Sequence, residues 1–126
     1  MSELVRVAVD AMGGDNAPQC TVDGALEALR ADADLQVTLA GPQAQLEPLL
    51  QSAGDVRSRI LLDDAPEIIT NHDAPVMAVR QKKNSAVVKG MLAVREGAAD
   101  GFVSAGSTGA TLAGGMFRLG RIDGVE

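Results

Sequence analysis

The chain has 126 residues, a formal net charge of −6, and an apolar content that is almost entirely aliphatic or alanine. Phe102 and Phe117 are its only aromatic residues. This scarcity of stacking rings, together with the acidic balance, argues against nucleic-acid binding, which needs a basic face. By length, residues 1–126 are expected to form a single domain.

The single cysteine, Cys20, rules out an internal disulfide and fits a reducing compartment. The N-terminus has an acid at position 3 and no unbroken apolar run, so no signal peptide is predicted. No run approaches the ~20 apolar residues of a membrane span. We therefore expect a cytoplasmic protein, with Cys20 as a small buried residue of the first helix.

The chain begins with a predicted strand and a glycine turn. Residues 5–9 alternate in the manner of a strand, which breaks at Asp10 and Gly13-Gly14. A helix is expected just after Asp15-Asn16, because an Asp or Asn cap with a proline (Pro18) close behind marks a helix start. A strand, a glycine turn and a helix N-terminus together form a place where backbone N–H groups can face an anion.

Helices and strands then alternate along the chain. The first helix has one apolar stripe, formed by Val22, Ala25, Leu26 and Leu29. Residues 35–40 form a second predicted strand, residues 46–53 a second helix closed by Gly54, and residues 60–62 a third strand. Such alternation is typical of a parallel sheet with helices on its faces.

The second half is less regular at first. Residues 65–74 are polar and irregular, and a short helix is predicted from Pro75 to about Lys82. Ser85 is expected to cap a longer helix, whose buried side is supplied by Val87, Val88, Met91, Leu92 and Val94. A short strand at 102–103, a turn at 104–109 and a helix at 110–118 follow. Because no closing element comes after that helix, we expect the chain to be a piece of something longer.

Several familiar sites do not fit this sequence. The dinucleotide pattern G-x-G-x-x-G and the Gly-Lys-Ser/Thr of a Walker loop do not occur. With one histidine and one cysteine, a zinc site is not expected, and no metal is predicted. His72 lies in a proline-flanked loop without a nucleophile elbow, so we interpret it as a solvated loop residue.

Ligands of a parallel α/β sheet bind outside the carboxyl ends of its strands, and two glycine-rich turns are expected there. In the second turn, hydroxyls come from Ser104, Ser107 and Thr108, while Gly106 and Gly109 allow close backbone approach. This composition suits an anion site. It equally suits a tight turn with Thr108 as a plain N-cap.

Charged residues near these turns have two interpretations as well. Four cations lie within ten positions: Arg80, Lys82, Lys83 and Lys89. They suit either a solvated helix face or an anion site with charge-assisted hydrogen bonds. Asp10 and Asp15 flank the first glycine pair, where a carboxylate can orient a Lys or Arg or hold a proton. Asp15 can also be simply a helix cap.

Three motifs carry a family resemblance. Residues 7–18, VAVDAMGGDNAP, closely resemble the opening of the bacterial phosphate acyltransferases of phospholipid synthesis, the PlsX family. Residues 78–85 resemble that family's basic segment, and residues 99–110 its second glycine turn. The family usually has Asn where this chain has Ser107 and Ser where it has Ala86. Family members are also much longer, and the chain resembles their N-terminal part.

The resemblance implies a three-layer α/β/α fold with a mainly parallel sheet, like that of phosphotransacetylases and isopropylmalate-dehydrogenase-like enzymes. It implies a reaction in which inorganic phosphate attacks the thioester of a fatty acyl-(acyl-carrier-protein) to give acyl phosphate. No cofactor is implied. The acyl carrier protein and phosphate are the implied partners, a homodimer the implied assembly, and peripheral membrane contact is implied only for parts outside this chain.

The resemblance also suggests site residues. The catalytic candidates are Asp10, Asp15, Arg80 and Lys82. The phosphate-binding candidates are Gly13, Gly14, Asn16, Ser104, Gly106, Ser107, Thr108 and Gly109. Lys82 is preferred from its place in the motif, although helical spacing alone pairs Arg80 with Lys83. Two alternatives remain: an isocitrate-type dehydrogenase half-domain, and a non-catalytic phosphate-binding or anion-binding module.

Overall fold

The computed structural model describes residues 4–69 and 73–106. Within them lies a four-stranded, wholly parallel sheet with the strand order β3-β2-β1-β4. The strands are β1 Val5–Asp10, β2 Leu35–Gly41, β3 Ile60–Asp64 and β4 Gly101–Val103. The predicted α/β class with a parallel sheet is confirmed.

Helices connect the strands: α1 Gln19–Ala31, α2 Gln43–Leu46, α3 Pro75–Gln81 and α4 Ala86–Arg95. Short 3₁₀ helices, Glu47–Leu50 and Gly54–Arg59, complete the link from β2 to β3. Of the helices in the described ranges, none is long and apolar enough to cross a membrane.

The two faces of the sheet are packed differently. One face carries the main aliphatic core, in which the α1 stripe meets side chains of β2 such as Val37 and Leu39. The other face is lined by small residues, and Ala40 of β2 packs there with Ala65 and Ala86. Helices on both faces of a parallel sheet give the expected three-layer α/β/α arrangement.

The start of α1 differs from its prediction. Its N-cap is Pro18, which makes no side-chain cap hydrogen bond, so the prediction of an Asp15 or Asn16 cap is wrong. The chain first turns through residues 15–18. Asn16 contributes its backbone carbonyl, which accepts a hydrogen bond from the N–H of Cys20 at 3.0 Å. The helix therefore begins later than the cap signal suggested.

Cys20 is exposed, and the prediction that it is buried is wrong. It precedes Val22 by two positions, a rotation of about 200° around an α-helix. Because Val22 is fully buried against the sheet, Cys20 falls on the opposite side of the helix. The prediction was based on residue type, whereas the position of Cys20 around the helix determines its exposure.

The second predicted helix is broken. The α-helical part ends at Leu46, and the 3₁₀ geometry that follows coincides with Pro48, which has no N–H for an i to i−4 bond. Gly54 has φ +62° at the predicted end. The buried positions of the helical pattern persist through the break, at Leu46, Leu50 and Ala53.

The later elements match their predictions closely. Ser85 caps α4, accepting a hydrogen bond from the N–H of Val88 at 3.4 Å. The third and fourth strands are each slightly longer than predicted. The helix predicted at 110–118 lies outside the described residues, as do His72, Ser107, Thr108 and Gly109.

Candidate functional site

Sheet topology brings the two glycine turns together. β1 and β4 are parallel neighbours, with Val9 paired to Val103, so the residues that follow, Asp10 and Ser104, leave the sheet side by side. Ser104 Oγ lies at hydrogen-bond distance from Asp10 Oδ2, 2.8 Å. The prediction that the two turns are partners at one edge of the sheet is therefore matched by the geometry of its described part, residues 10–16 and 104–106.

The turns contact each other through backbone that only glycine permits. A Cβ on Gly13 would lie 2.7 Å from the Gly106 carbonyl oxygen and 2.8 Å from Asp10 Oδ2, closer than real Cβ contacts. Gly14 has φ +97°, in the region that glycine adopts without strain. These glycines are required by the turn geometry itself, whatever the site binds.

Asp10 is the most perturbed acid of the site. Its side chain is almost completely buried, with 3 % exposure. Burial raises the pKa of Asp10, and hydrogen bonds from Ser104 and from the N–H of Met12 act in the opposite direction. Its position holds it in contact with both turns, whereas Asp15 and Asn16 are exposed on the first turn.

Lys82 is already engaged by protein groups. Its Nζ donates to the carbonyl oxygen of Ile68 at 2.7 Å and to Asp73 Oδ2 at 2.9 Å. These bonds tie the irregular segment after β3 to the end of α3. Arg80 is exposed in the last turn of α3. The described contacts thus give Lys82 a bracing role.

Lys89 belongs to a separate arrangement. Its Nζ donates to the Asp64 carbonyl oxygen at 2.8 Å and lies 3.5 Å from Asp63 Oδ1. It therefore joins α4 to the carboxyl end of β3. Lys82 and Lys89, two of the four clustered cations, therefore have separate partners.

Thr21 was missed by the sequence reasoning. Its hydroxyl lies 2.5 Å from the Ala11 carbonyl oxygen and 2.9 Å from that of Pro18, so it fastens the first turn to the start of α1. The available signal was a hydroxyl three residues after Pro18, within the first turn of the helix. Among the described residues, no group of three or more His, Cys, Asp or Glu side chains could hold a metal ion.

A parallel α/β domain with paired glycine turns at the carboxyl edge defines the class to which this protein belongs. Such edges are where α/β proteins bind anionic ligands. The comparisons with known proteins then give the family. The sequence model of the family described as "Fatty acid synthesis protein" matches residues 5–126, and the chain belongs to that family.

Several curated relatives are named phosphate acyltransferase. The one from Clostridium beijerinckii is 45% identical over 122 residues, which cover 97% of this chain and 37% of the relative. The one from Levilactobacillus brevis is 52% identical, with 97% of this chain and 34% of the relative covered. The one from Salinibacter ruber is 50% identical, with 96% and 36% covered. The chain thus spans little more than a third of the length of these relatives.

Proposed function

We propose that the chain supplies the phosphate-binding part of a phosphate acyltransferase that makes acyl phosphate from inorganic phosphate and a fatty acyl-(acyl-carrier-protein). The observation that carries the proposal is the junction of two glycine turns at the carboxyl edge of β1 and β4. The family assignment and the names of the relatives support it.

The proposed reaction needs no protein nucleophile. A phosphate oxygen attacks the thioester carbonyl carbon, the carbonyl oxygen becomes an oxyanion, and the carbon–sulfur bond then breaks to release the carrier protein as its thiolate. The protein has to hold a charged phosphate against the carbonyl and stabilise the developing oxyanion. Orientation and preorganised N–H donors can each lower such a barrier by several kcal/mol.

In this proposal the phosphate cradle is formed by the predicted phosphate-binding residues of both turns. The Gly14 backbone N–H is the proposed donor, because those of Gly13 and Gly106 bond within the turns, to the Asp10 carbonyl oxygen and to Ser104 Oγ. The described geometry supports the proximity of the two turns. Arg80 supplies positive charge. For Lys82 to touch phosphate it must leave Asp73, so its contribution is to brace the loop until a ligand competes for it.

The two acids are proposed to have different roles. Asp10, being buried beside Ser104, is better placed to hold a proton than to orient a cation. Asp15 is exposed at the turn, where it can face the acyl donor or a basic side chain. We also propose the wider setting: a cytoplasmic homodimer, feeding phospholipid synthesis and contacting the membrane peripherally through segments outside this chain.

The test is an activity assay on the complete gene product and on the 126-residue chain. Each is incubated with acyl-(acyl-carrier-protein) and labelled phosphate, and labelled acyl phosphate is measured. Product from the complete protein is expected. Absence of product from both proteins would refute the enzyme assignment.

A charge variant tests the cradle within the same assay. Arg80→Ala in the complete protein should raise the phosphate concentration needed for half-maximal rate by about tenfold or more, the loss of one charge-assisted hydrogen bond, and should change acyl-donor dependence little. Lys83→Ala is the matched control, since Lys83 is also exposed in the same segment. An unchanged phosphate dependence in Arg80→Ala would remove Arg80 from the cradle.

A second candidate is a non-catalytic anion-binding module. The limited coverage of the relatives favours it for the isolated chain, because the opposite wall of a cleft can lie in the part of the relatives that the chain does not match. Phosphate binding without turnover by the 126-residue chain, alongside turnover by the complete protein, would support that reading. The dehydrogenase half-domain has no support from the family match or the relatives' names.

A further inference from the structure

The junction of the two turns contains more close oxygen contacts than Ser104 has hydrogens. Ser104 Oγ lies 2.8 Å from Asp10 Oδ2 and 2.7 Å from the Gly106 carbonyl oxygen. Both are hydrogen-bond distances for an O–H donor, and a serine hydroxyl has a single hydrogen. The N–H of Gly106 points at Ser104 Oγ from 3.3 Å, so its hydrogen serves neither of the two oxygen contacts. With one hydrogen the two contacts can only share a three-centre bond, whereas a second hydrogen would make each a full hydrogen bond.

We propose that Asp10 carries a proton in the folded protein and donates it to Ser104 Oγ, so that the Ser104 hydroxyl is free to donate to the Gly106 carbonyl oxygen. The hydroxyl then accepts from Asp10 and from the Gly106 N–H, and its full hydrogen-bonding capacity is used. The other carboxyl oxygen, Asp10 Oδ1, accepts from the Met12 N–H at 3.1 Å.

The ionised alternative leaves a conflict. If Ser104 gives its hydrogen to an ionised Asp10, then Ser104 Oγ and the Gly106 carbonyl oxygen face each other at 2.7 Å without a hydrogen between them. Two acceptor oxygens at that distance repel each other. The carbonyl would also lose its close donor in a part-buried position, which costs free energy.

The surroundings favour the neutral acid. Asp10 is 3 % exposed, and its described hydrogen-bond partners are uncharged. Burial raises its pKa and outweighs the lowering effect of the hydrogen bonds with Ser104 and with the backbone N–H groups of Met12 and Gly13. The charged groups on neighbouring elements include the exposed Asp15 on the same turn, Arg6 on β1, Asp64 on β3, Arg95 on α4, and the ion pair of Asp63 with Lys89 at β3 and α4. In the described part of the chain, none of these groups hydrogen-bonds Asp10.

Asp10 is thus a positioning residue that links the first glycine turn to the second through Ser104. Its neutral state also keeps a negative charge out of the place where the backbone N–H groups converge. This consequence for phosphate binding rests on the proposed function. The location of the proton does not, and it can be tested without any substrate.

The first test compares unfolding of the complete gene product with that of Asp10→Asn in urea between about pH 2 and pH 8. An asparagine amide can donate to Ser104 and accept from Met12, as the protonated acid does. A carboxyl whose pKa is raised by folding loses stability as pH rises above about 4, because the folded state holds the proton longer. The urea midpoint of Asp10→Asn should therefore increase relative to that of the wild type as pH rises.

Asp100→Asn is the matched control with the opposite sign. The Asp100 carboxylate accepts hydrogen bonds from the backbone N–H and guanidinium of Arg6, which lower its pKa. Its asparagine variant should fall in stability relative to the wild type as pH rises from acid to about 4, and should stay below it by a constant amount at higher pH. If the difference between Asp10→Asn and the wild type follows the control, or is flat with pH, the proposal is overturned.

The second test locates the proton directly. Carboxyl-detected NMR of ¹³C-labelled aspartate in the complete protein should show Asp10 titrating above the ordinary aspartate range. Titration of Asp10 within or below the ordinary aspartate range would refute the proposal. Neither measurement involves phosphate binding. Both results therefore remain interpretable even if the proposed function is wrong.

Discussion

Two glycines inside helices are expected to respond oppositely to the same substitution. Gly90, in α4, is buried, and a Cβ there would overlap the ring edge of Phe102, at Cδ1 and Cε1. Gly24, in α1, is exposed, and a Cβ would have nothing within 4 Å. Alanine at either position gains the same helix propensity, so the difference between the variants reports the contact between α4 and β4.

The magnitude follows from two opposing effects. Replacing glycine by alanine in a helix interior gains about 0.5–1 kcal/mol. Overpacking a well-filled site costs about 1–3 kcal/mol, because neighbouring side chains are forced from their preferred rotamers. Gly24→Ala should thus stabilise the protein by about 0.5–1 kcal/mol, and Gly90→Ala should destabilise it by about 1–2 kcal/mol once the propensity gain is subtracted.

Urea denaturation followed by far-UV circular dichroism measures both variants, since the chain has no Trp or Tyr for fluorescence. The same substitution is then made in a Phe102→Ala background. If the clash is with the ring, Gly90→Ala should become stabilising there, with a coupling free energy of about 2 kcal/mol. Stabilisation by Gly90→Ala in the presence of Phe102, equal to that of Gly24→Ala, would refute the packing argument.

Two further predictions concern side chains that hold the ends of elements. Arg59 donates to the carbonyl oxygens of Leu29, Asp32 and Leu35 at 2.6, 2.7 and 2.8 Å. Arg59→Met should therefore lower the free energy of unfolding, measured in urea, by about 2–3 kcal/mol. An unchanged free energy of unfolding would show that water replaces the guanidinium. Because Arg6 lowers the pKa of Asp100, the stability that Asp100 contributes is present above about pH 4 and is lost as pH falls. The urea midpoints of the wild type and of Asp100→Asn should therefore converge in acid. A constant difference between the two midpoints would contradict this prediction.

Much of the fold could be predicted because the apolar pattern is regular where the layers are deepest. The stripe of α1 and the alternation of β2 each specify a face that must be buried, and the structure follows them. Pro48 could have warned that the second helix is broken, since its missing N–H was visible in the sequence. Cys20 needed helical phase, and the α1 start needed the path of the turn at residues 15–18, which no cap rule describes.

The candidate site, like the fold, could be predicted from the sequence only in part. That Asp10 and Ser104 meet follows from two predicted parallel strands, although the sequence did not say that β4 lies directly beside β1. The bracing of Lys82 by Asp73 was not predictable, because it depends on how the irregular segment folds back on α3. Motif position and helical spacing could only choose between neighbouring lysines.

The proton at the junction depends on distances that no residue pattern contains. A serine after a strand can donate to any nearby acceptor, and a buried aspartate can be neutral or ionised. The choice is restricted once Ser104 Oγ is found within hydrogen-bond distance of both Asp10 Oδ2 and the Gly106 carbonyl oxygen, 2.8 and 2.7 Å away, because one hydroxyl hydrogen cannot make two full hydrogen bonds. Gly13 makes this crowding possible, since any side chain there would force the two turns apart. From the sequence, Gly13 was expected to allow close approach of a ligand. In the folded protein it first allows the Asp10 carboxyl and the Ser104 hydroxyl to come together.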